Sequence, residues 1–340
     1  MLFTIVGLLL VLGAVFAILF QQASSSPPER WQPVSLPPVY DPATGIPYTI
    51  PLAGVACGNG AFVAVGWGGT ILTSPGRGSQ RGLVWTSRSS GTSMFLSGVA
   101  YGKGTFVAIG LKVVLTSPDG VTWTNRTPSF HEYNGYSLLG VSYGNNTFVA
   151  IGTGGTVLTS PDGATWTVQI KGTGLNPSGV VDDDLGSVAY GNGTFVAVGI
   201  NGTIATSPDG AAWTVRPSGV QAVGLRSVAY GSHTFVAVGV DKGVHNNWYY
   251  GGVVLTSPDG MTWTKCLHTD SQLSAVTCSR GTFVAVGDKG TILTSPDGAT
   301  WAPGNSGTDE YLCGIAYGNG IFVTVGTNST IVRSLPGSLL

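Results

Sequence analysis

The sequence predicts an all-β protein, a seven-bladed β-propeller of four-stranded antiparallel blades preceded by one N-terminal hydrophobic α-helix. Three observations lead to this prediction. A string similar to GVAYGNGTFVAVG recurs seven times at a mean spacing of about 43 residues, the length of one propeller blade. The tetrapeptide SPDG occurs five times, each time with a tryptophan three residues after its glycine. The first twenty residues carry no charge.

Residues 1–20 form the predicted helix, MLFTIVGLLLVLGAVFAILF. Twenty residues at about 1.5 Å each match the roughly 30 Å hydrocarbon core of a bilayer. Three interpretations of this segment stay open. A cleaved secretory signal would need a basic start and a small-residue cleavage site, and the segment has neither. A single-pass membrane anchor fits the length, although no positive charge flanks the segment to set its orientation.

The third interpretation is a mature pilin-like helix that packs with its copies in a filament core. The segment resembles archaeal filament subunits, whereas bacterial type IV pilins usually carry a glutamate where this chain has Ile5. The resemblance implies a homopolymer joined through these helices, with the subunit in a membrane before assembly. Residues 21–30, rich in serine and proline, would be an extended linker. The expected assembly residues, which include glycines that permit close helix contact, are Phe3, Gly7, Leu10, Gly13, Phe16 and Phe20.

Each repeat of the remaining chain divides into four short strands. The strand segments resemble SVAY, TFVAV, TILTS and TWT, and the second alternates with a period of two. Dipeptides such as Asn192-Gly193 separate the first two segments and supply the positive φ angles of a two-residue hairpin turn. SPDG separates the third segment from the fourth, with proline fixing φ and aspartate bonding to backbone amides. Four antiparallel strands in about 43 residues are typical of a propeller blade.

A tryptophan marks the fourth strand of each blade, and its distribution predicts how the ring closes. The last repeat ends without a tryptophan, whereas Trp31 precedes the first repeat. We therefore expect the Trp31 strand to complete the C-terminal blade, so that residues 31–340 form one propeller without exposed sheet edges. Trp67 and Trp248 fall outside the motif. The seven motif tryptophans are Trp31, Trp85, Trp123, Trp166, Trp213, Trp263 and Trp301.

The SPDG-x-T-W motif resembles the Asp-box of sialidase-type propellers, Ser-x-Asp-x-Gly-x-Thr-Trp. It is one residue shorter between the aspartate and the tryptophan. The resemblance covers residues 30–340 and implies that the motif is a folding element away from any active centre. Its aspartates are Asp119, Asp162, Asp209, Asp259 and Asp297.

The composition excludes two classes of protein. Lysine and arginine number 15 against 16 acidic residues, so the chain lacks the clustered positive charge that a nucleic-acid binder needs. Charged residues make up 9% and apolar residues 43%, which excludes intrinsic disorder.

Strand direction separates the connections of a propeller into two faces. The NG and SPDG turns lie on one face, and the connections of variable length, residues 32–51, 125–138, 167–185 and 240–252, lie on the other. Variable loops on a rigid scaffold commonly carry function, so this second face is predicted to hold the site. One candidate there is an aromatic run for an interface or carbohydrate stacking, Trp248, Tyr249 and Tyr250. The other is an acidic run, for which a solvated loop is favoured over a calcium site, Asp182, Asp183 and Asp184.

Neither enzymatic activity nor a cofactor or metal is expected. Sialidase-like hydrolysis, the least favoured alternative, needs an arginine cluster, a tyrosine–glutamate pair and an acidic aspartate on the central axis. Glu310 and Tyr311 are adjacent, and neighbouring side chains on a strand point to opposite faces. His245 with Asp241 is disfavoured as a metal site against a polar loop. The four cysteines are expected to be buried free thiols.

The function expected first is a non-enzymatic structural subunit of a pilus-like cell-surface filament, which displays its propellers outside the core and has adhesion as a candidate role. The alternative is a membrane-anchored extracytoplasmic propeller that serves as a binding or assembly module, similar to the propellers that help build photosystem II. Both place the protein at the cell surface or facing outward. The expected partners are copies of itself and a surface ligand or glycan, without nucleic acid. Candidate glycosylation sequons, several of which arise from the repeated turn, begin at Asn125, Asn145, Asn192, Asn201 and Asn328.

Overall fold

The computed structural model describes residues 31–36, 39–40, 47–75, 83–128, 137–170, 184–220, 223–242 and 249–335. The predicted helix 1–20 and linker 21–30 lie outside these residues. Within the described ranges, no helix has the length and apolar character needed to cross a membrane.

Short strands make up almost all the regular structure of the described residues. In chain order they are β1 Trp31–Pro33, β2 Val39–Tyr40, β3 Pro47–Tyr48, β4 Leu52–Gly58, β5 Ala61–Gly66, β6 Ile71–Pro75, β7 Thr86–Arg88, β8 Leu96–Gly102, β9 Thr105–Gly110, β10 Val113–Ser117, β11 Thr124–Asn125, β12 Leu138–Gly144, β13 Thr147–Gly152, β14 Val157–Ser160, β15 Thr167–Ile170, β16 Leu185–Gly191, β17 Thr194–Gly199, β18 Ile204–Ser207, β19 Thr214–Arg216, β20 Val223–Gly231, β21 Thr234–Lys242, β22 Tyr249–Ser257, β23 Thr264–Thr269, β24 Leu273–Ser279, β25 Thr282–Gly287, β26 Thr291–Ser295, β27 Ala302–Asn305, β28 Leu312–Gly318, β29 Ile321–Gly326 and β30 Ile331–Ser334.

Seven four-stranded antiparallel sheets form the blades, which confirms the predicted seven-bladed propeller. Blades one to six follow chain order, from β4–β7 through β24–β27, and each first strand contacts the first strand of the next blade around the central axis. A separate ribbon pairs β2 with β3. Single 3₁₀ turns join the second and third strands of four blades, at Trp67–Gly69, Thr153–Gly155, Ile200–Gly202 and Asp288–Gly290.

The seventh blade combines both ends of the described chain. Its first three strands are β28, β29 and β30, and its fourth is β1. Trp31 lies opposite Ser334 and Pro33 opposite Val332 in this antiparallel pair. The hydrogen bonds of β1 thereby cover the outer edge of β30, which would otherwise be open to pairing with another chain.

The second strand of each blade is buried on both faces, since the neighbouring blades cover it. The run from Phe195 to Val198 is fully buried, so the period of two expected there gives way to a continuous apolar strand. One phenylalanine per blade has no exposed surface, and in five blades it packs on the first-strand tyrosine with ring centroids 4.6–4.8 Å apart. Cys57 and Cys278 replace that tyrosine in the other two blades.

The five SPDG turns form one repeated hydrogen-bond network. In blade three, the carboxylate of Asp162 accepts the backbone N–H groups of Ala164 and Thr165, both at 2.8 Å. The Ser160 hydroxyl accepts the N–H of Gly163 at 2.8 Å, and the Trp166 indole N–H donates to the carbonyl of Gly163 at 2.8 Å. These backbone donors lower the pKa of the motif aspartates. These hydrogen bonds hold the turn, and one oxygen of each motif carboxylate is committed to them.

The structure corrects three local expectations. The fourth strands of blades one to six begin one residue after the motif tryptophan instead of including it. Residues 240–242 and 249–252 of the insertion belong to β21 and β22, strands of nine residues each, and not to a loop. All four cysteines are free but half-buried, because the first-strand and outer-strand positions they occupy are not covered on every side.

Candidate functional site

The candidate site lies where the seven first strands begin, around the central axis. We call this side of the ring the loop face, because it carries the second-to-third and inter-blade connections. The opposite side, with the NG and SPDG turns, is the turn face. Every first strand has a register shift near its start that leaves one residue without an opposite partner, a β-bulge. The seven bulge residues are Ala53, Ser97, Leu139, Gly186, Arg226, Ser274 and Cys313.

Arg226 is the one charged residue in the seven first strands. Its side chain is half-buried, and its guanidinium donates a hydrogen bond to the hydroxyl of Tyr311. Tyr311 immediately precedes the first strand of blade seven, whereas Arg226 belongs to blade five. Blade six lies between these two blades, so the side chain of Arg226 extends across the start of blade six, near the axis and on the loop face.

The bulge residues of blades six and seven carry the two other polar groups near this arginine. Burial raises the pKa of the Cys313 thiol to about 11, although the positive charge of Arg226 acts in the opposite direction. Cys313 is therefore a neutral thiol at physiological pH. The Ser274 hydroxyl is buried without a hydrogen-bond partner among the described residues. An unpaired buried hydroxyl is costly.

Two carboxylates on the loop face, those of Asp184 and Glu310, are held by contacts with loop residues. Asp184 accepts the backbone N–H of Gly154 at 2.8 Å. Glu310 accepts the side-chain amide of Asn328 at 2.8 and 2.9 Å and the hydroxyl of Thr327 at 2.7 Å. These contacts lower the pKa of Glu310. Within the described part of the chain, no carboxylate forms an ion pair with Arg226.

An exposed apolar patch lies on the loop face of blades one and two. The indole of Trp67 is 61% exposed and lies 5.5 Å from the ring of Phe95, centroid to centroid. Met94 and Leu111 are 42% and 38% exposed, and the backbone N–H of Leu111 donates to the carbonyl of Phe95 at 3.0 Å. We call these four residues the Trp67 patch. An aromatic and aliphatic cluster open to solvent is typical of an interaction surface.

The predicted candidates are only partly brought to this site. Asp184 lies there, but its carboxylate bonds to the loop of blade three, and Asp182 and Asp183 lie outside the described residues. Trp248 also lies outside them, and for Tyr249 and Tyr250 only the strand backbone is described.

Asp241, considered with His245 for a metal, instead pairs with Lys265 at 2.7 Å and lies 3.4 Å from Nδ1 of His268. His245 itself is outside the described ranges. Among the described residues there is no cluster of three or more potential metal ligands.

The predicted sequons fall on both faces. Asn145 and Asn192 occupy first-to-second turns on the turn face, and Asn201 lies in the 3₁₀ turn of blade four. The side chain of Asn125 accepts the N–H of Thr127 at 2.8 Å. Asn328 donates to Glu310, so a glycan on its side-chain nitrogen would compete with that contact.

Comparisons with known proteins support the fold. No protein-family model matches the chain, and no curated protein sequence matches it. A structure of YCF48 bound to a D1 peptide aligns with a TM-score of 0.65 at 14% identity, over 90% of this chain and 94% of that one. A virginiamycin B lyase from Staphylococcus aureus aligns with a TM-score of 0.69 at 11% identity, over 90% and 99%. The WD40 propeller of Doa1 gives 0.64 at 11%, over 90% and 97%. At these identities the chain shares the propeller fold with each of them.

Sequence reasoning missed Arg226 and the Trp67 patch, although signals for both were present. Arg226 is the single charge in seven aligned copies of an apolar strand. Trp67 is a tryptophan that the blade motif does not require. In each case the residue differs from what the repeat has or requires at that position, and this difference is the signal for a candidate functional residue.

Proposed function

We propose that this protein is a non-enzymatic binding module, tethered to a membrane by residues 1–20 and facing outward, which binds an extended segment of a partner protein on its loop face. The observation that carries the proposal is the Trp67 patch, an exposed aromatic cluster beside the central axis. Tryptophan is enriched among the residues that dominate binding energy in protein interfaces. Three of the four patch residues are open over at least 38% of their surface, and Phe95 is partly buried against the indole.

The direction of the chain supports this orientation. In the seventh blade, Trp31 lies opposite Ser334, the last residue of β30, and Pro33 lies further toward the loop face. Strand β1 therefore begins at the turn face and runs toward the loop face. A tether through residues 1–20 would leave the loop face directed away from the membrane and open to a partner.

The comparisons add support by analogy. YCF48, which has the same fold, was solved with a D1 peptide bound, and WD40 propellers also align over nine-tenths of this chain. A propeller of this size therefore offers enough surface for a peptide. The absence of enzymatic activity is part of the proposal, and it is supported by the contacts of Glu310 and Tyr311. Their side chains bond to different partners, Asn328 and Arg226, and do not form a joint nucleophile.

A selection experiment on the full chain in detergent micelles tests the proposal. A displayed library of random twelve-residue peptides is selected on the purified protein, and binding of the enriched peptides is measured by fluorescence anisotropy. We expect Trp67→Ser to weaken binding at least tenfold, since loss of an interface hot spot costs about 2 kcal/mol or more. Val84→Ser removes an apolar side chain that is 69% exposed, lies outside the patch and serves as the matched control. Failure to enrich any peptide, or equal losses in the two variants, would contradict the proposal.

The filament function, expected first from the sequence, depends on residues 1–20 and stays a prediction. None of the described contacts bears on it, and its test is given in the Discussion.

A further inference from the structure

We infer that Arg226, held by Tyr311, forms a carboxylate-binding subsite at the axis of the loop face, which receives one carboxylate of the bound polypeptide. The inference rests on the proposed function and names a chemical feature of the partner. It assigns the Trp67 patch to the apolar part of the ligand and Arg226 to its charged part.

The guanidinium has more donors than its described partners use. Arginine carries five N–H donors in a planar fork that matches a carboxylate in bidentate geometry. Among the described residues, the hydroxyl of Tyr311 is its one hydrogen-bond acceptor, and no carboxylate pairs with it. Tyr311 holds the fork in position and leaves further N–H groups for a ligand.

Among the described residues, the positive charge of Arg226 has no paired carboxylate, which is unusual for a half-buried side chain. A half-buried cation without a counter-ion loses hydration and gains no charge pair in return. Carboxylates that might have paired with it, Asp184 and Glu310, are bonded to Gly154, Thr327 and Asn328. Asp288, in the 3₁₀ turn of blade six, has a buried carboxylate oxygen without a described partner, and none of these three carboxylates forms an ion pair with Arg226 among the described residues. A carboxylate from a second molecule would complete the charge pair.

The bulge positions explain why the subsite is built here. A bulge adds one residue that has no opposite partner in the next strand and redirects its side chain. Arg226 and Ser274 occupy this position in consecutive blades, so both side chains start from the same level of the ring.

A carboxylate fits this subsite better than a phosphate. Asp184 and Glu310 lie at the same end of the axis, and their negative charges repel an anion in proportion to its charge. A carboxylate carries one negative charge, whereas a phosphomonoester carries between one and two at neutral pH. The source of the carboxylate, an acidic side chain or a C-terminus, is left to the experiment.

The test measures retention of four synthetic pools of random dodecapeptides on the immobilised full chain, quantified by mass spectrometry. The first pool has a free C-terminus and no acidic residues, and the second has an amidated C-terminus and contains aspartate and glutamate. The third is amidated without acidic residues, and the fourth is the third with one phosphoserine. We expect at least tenfold greater retention of the first or second pool than of the third, and the preferred pool identifies the source.

Two variants connect this preference to the subsite. Arg226→Gln should abolish the preference for the first or second pool over the third, while Arg226→Lys should keep part of that preference because the charge remains without the fork. Circular dichroism melting checks that both variants fold. If Arg226→Gln does not fold, the inference is judged from the ratio of the retained pools on the wild-type protein and on Arg226→Lys.

The outcomes separate the two proposals. If no pool is retained more strongly than on Trp67→Ser, the proposed function fails, and this inference fails with it. If the first three pools are retained equally and depend on Trp67 but not on Arg226, the binding module stands and the carboxylate subsite is wrong. Preference for the phosphoserine pool that depends on Arg226 also overturns the carboxylate assignment.

Discussion

Two motif tryptophans with equal burial are expected to respond differently to loss of the indole N–H. Trp31 and Trp263 are both 8% exposed. The Trp263 indole donates to the carbonyl of Gly260 at 2.9 Å, because an SPDG turn precedes it. Trp31 has no such turn, and its indole nitrogen is buried without a partner among the described residues. Substitution by phenylalanine removes the N–H from both and keeps an aromatic ring.

The expected difference follows from these contacts. Both substitutions reduce the size of a buried ring, and this shared loss cancels in the comparison. Trp263→Phe also removes a hydrogen bond worth about 1 kcal/mol and leaves the Gly260 carbonyl unpaired. Trp31→Phe removes an unsatisfied donor whose burial costs roughly 1–3 kcal/mol. We therefore expect Trp263→Phe to lower the free energy of unfolding by about 2–4 kcal/mol more than Trp31→Phe does.

Urea denaturation of each variant in the same detergent, followed by circular dichroism near 218 nm, measures this difference without depending on tryptophan fluorescence. Trp85→Phe is an independent check, because Trp85 is 5% exposed and its indole nitrogen also lacks a described partner. It should behave like Trp31→Phe. Equal destabilisation of all three variants, or greater destabilisation at Trp31 than at Trp263, would refute the hydrogen-bond argument.

Three further predictions follow from the turns and the N-terminal segment. The folded state lowers the pKa of the five SPDG aspartates. The stability that their ionised carboxylates add to the fold is therefore present above the ordinary carboxyl pKa of about 4, and it is lost as the pH falls through the lowered pKa values. The melting temperature should fall between pH 5 and pH 2, and by less in Asp162→Asn. Gly163→Ala should destabilise more than Gly193→Ala. The two glycines have φ of +77° and +75°, but a Cβ at Gly163 would lie 2.8 Å from Cγ2 of Val107, whereas one at Gly193 meets nothing within 4 Å. Leu10→Lys should prevent filament assembly, seen by electron microscopy, while the propeller melts normally; filaments of this variant would contradict a helix core.

The sequence was sufficient to predict the repeating part of the fold. Seven blades of four strands follow from seven copies of one motif, because each copy contains its own hairpin turns and its own buried phenylalanine. Where a segment occurs once, prediction was weaker. The 240–252 insertion was expected to be a loop and extends β21 and β22, since nothing in its composition sets the length of a hairpin. The half-burial of the cysteines depends on packing between blades, which one repeat does not encode.

The candidate site was less predictable, and the reason lies in the bulge. At the bulge position of the first strand, the chain tolerates alanine, serine, leucine, glycine, arginine and cysteine, because the bulge frees this position from cross-strand pairing. The turn face is the reverse case, since its serine, aspartate and glycine take part in hydrogen bonds that hold the turn. Folding therefore fixes residue types on one face and leaves the other free. A charged or aromatic residue on the free face, such as Arg226 or Trp67, has no role in closing the ring, and that is the physical reason to look for binding there.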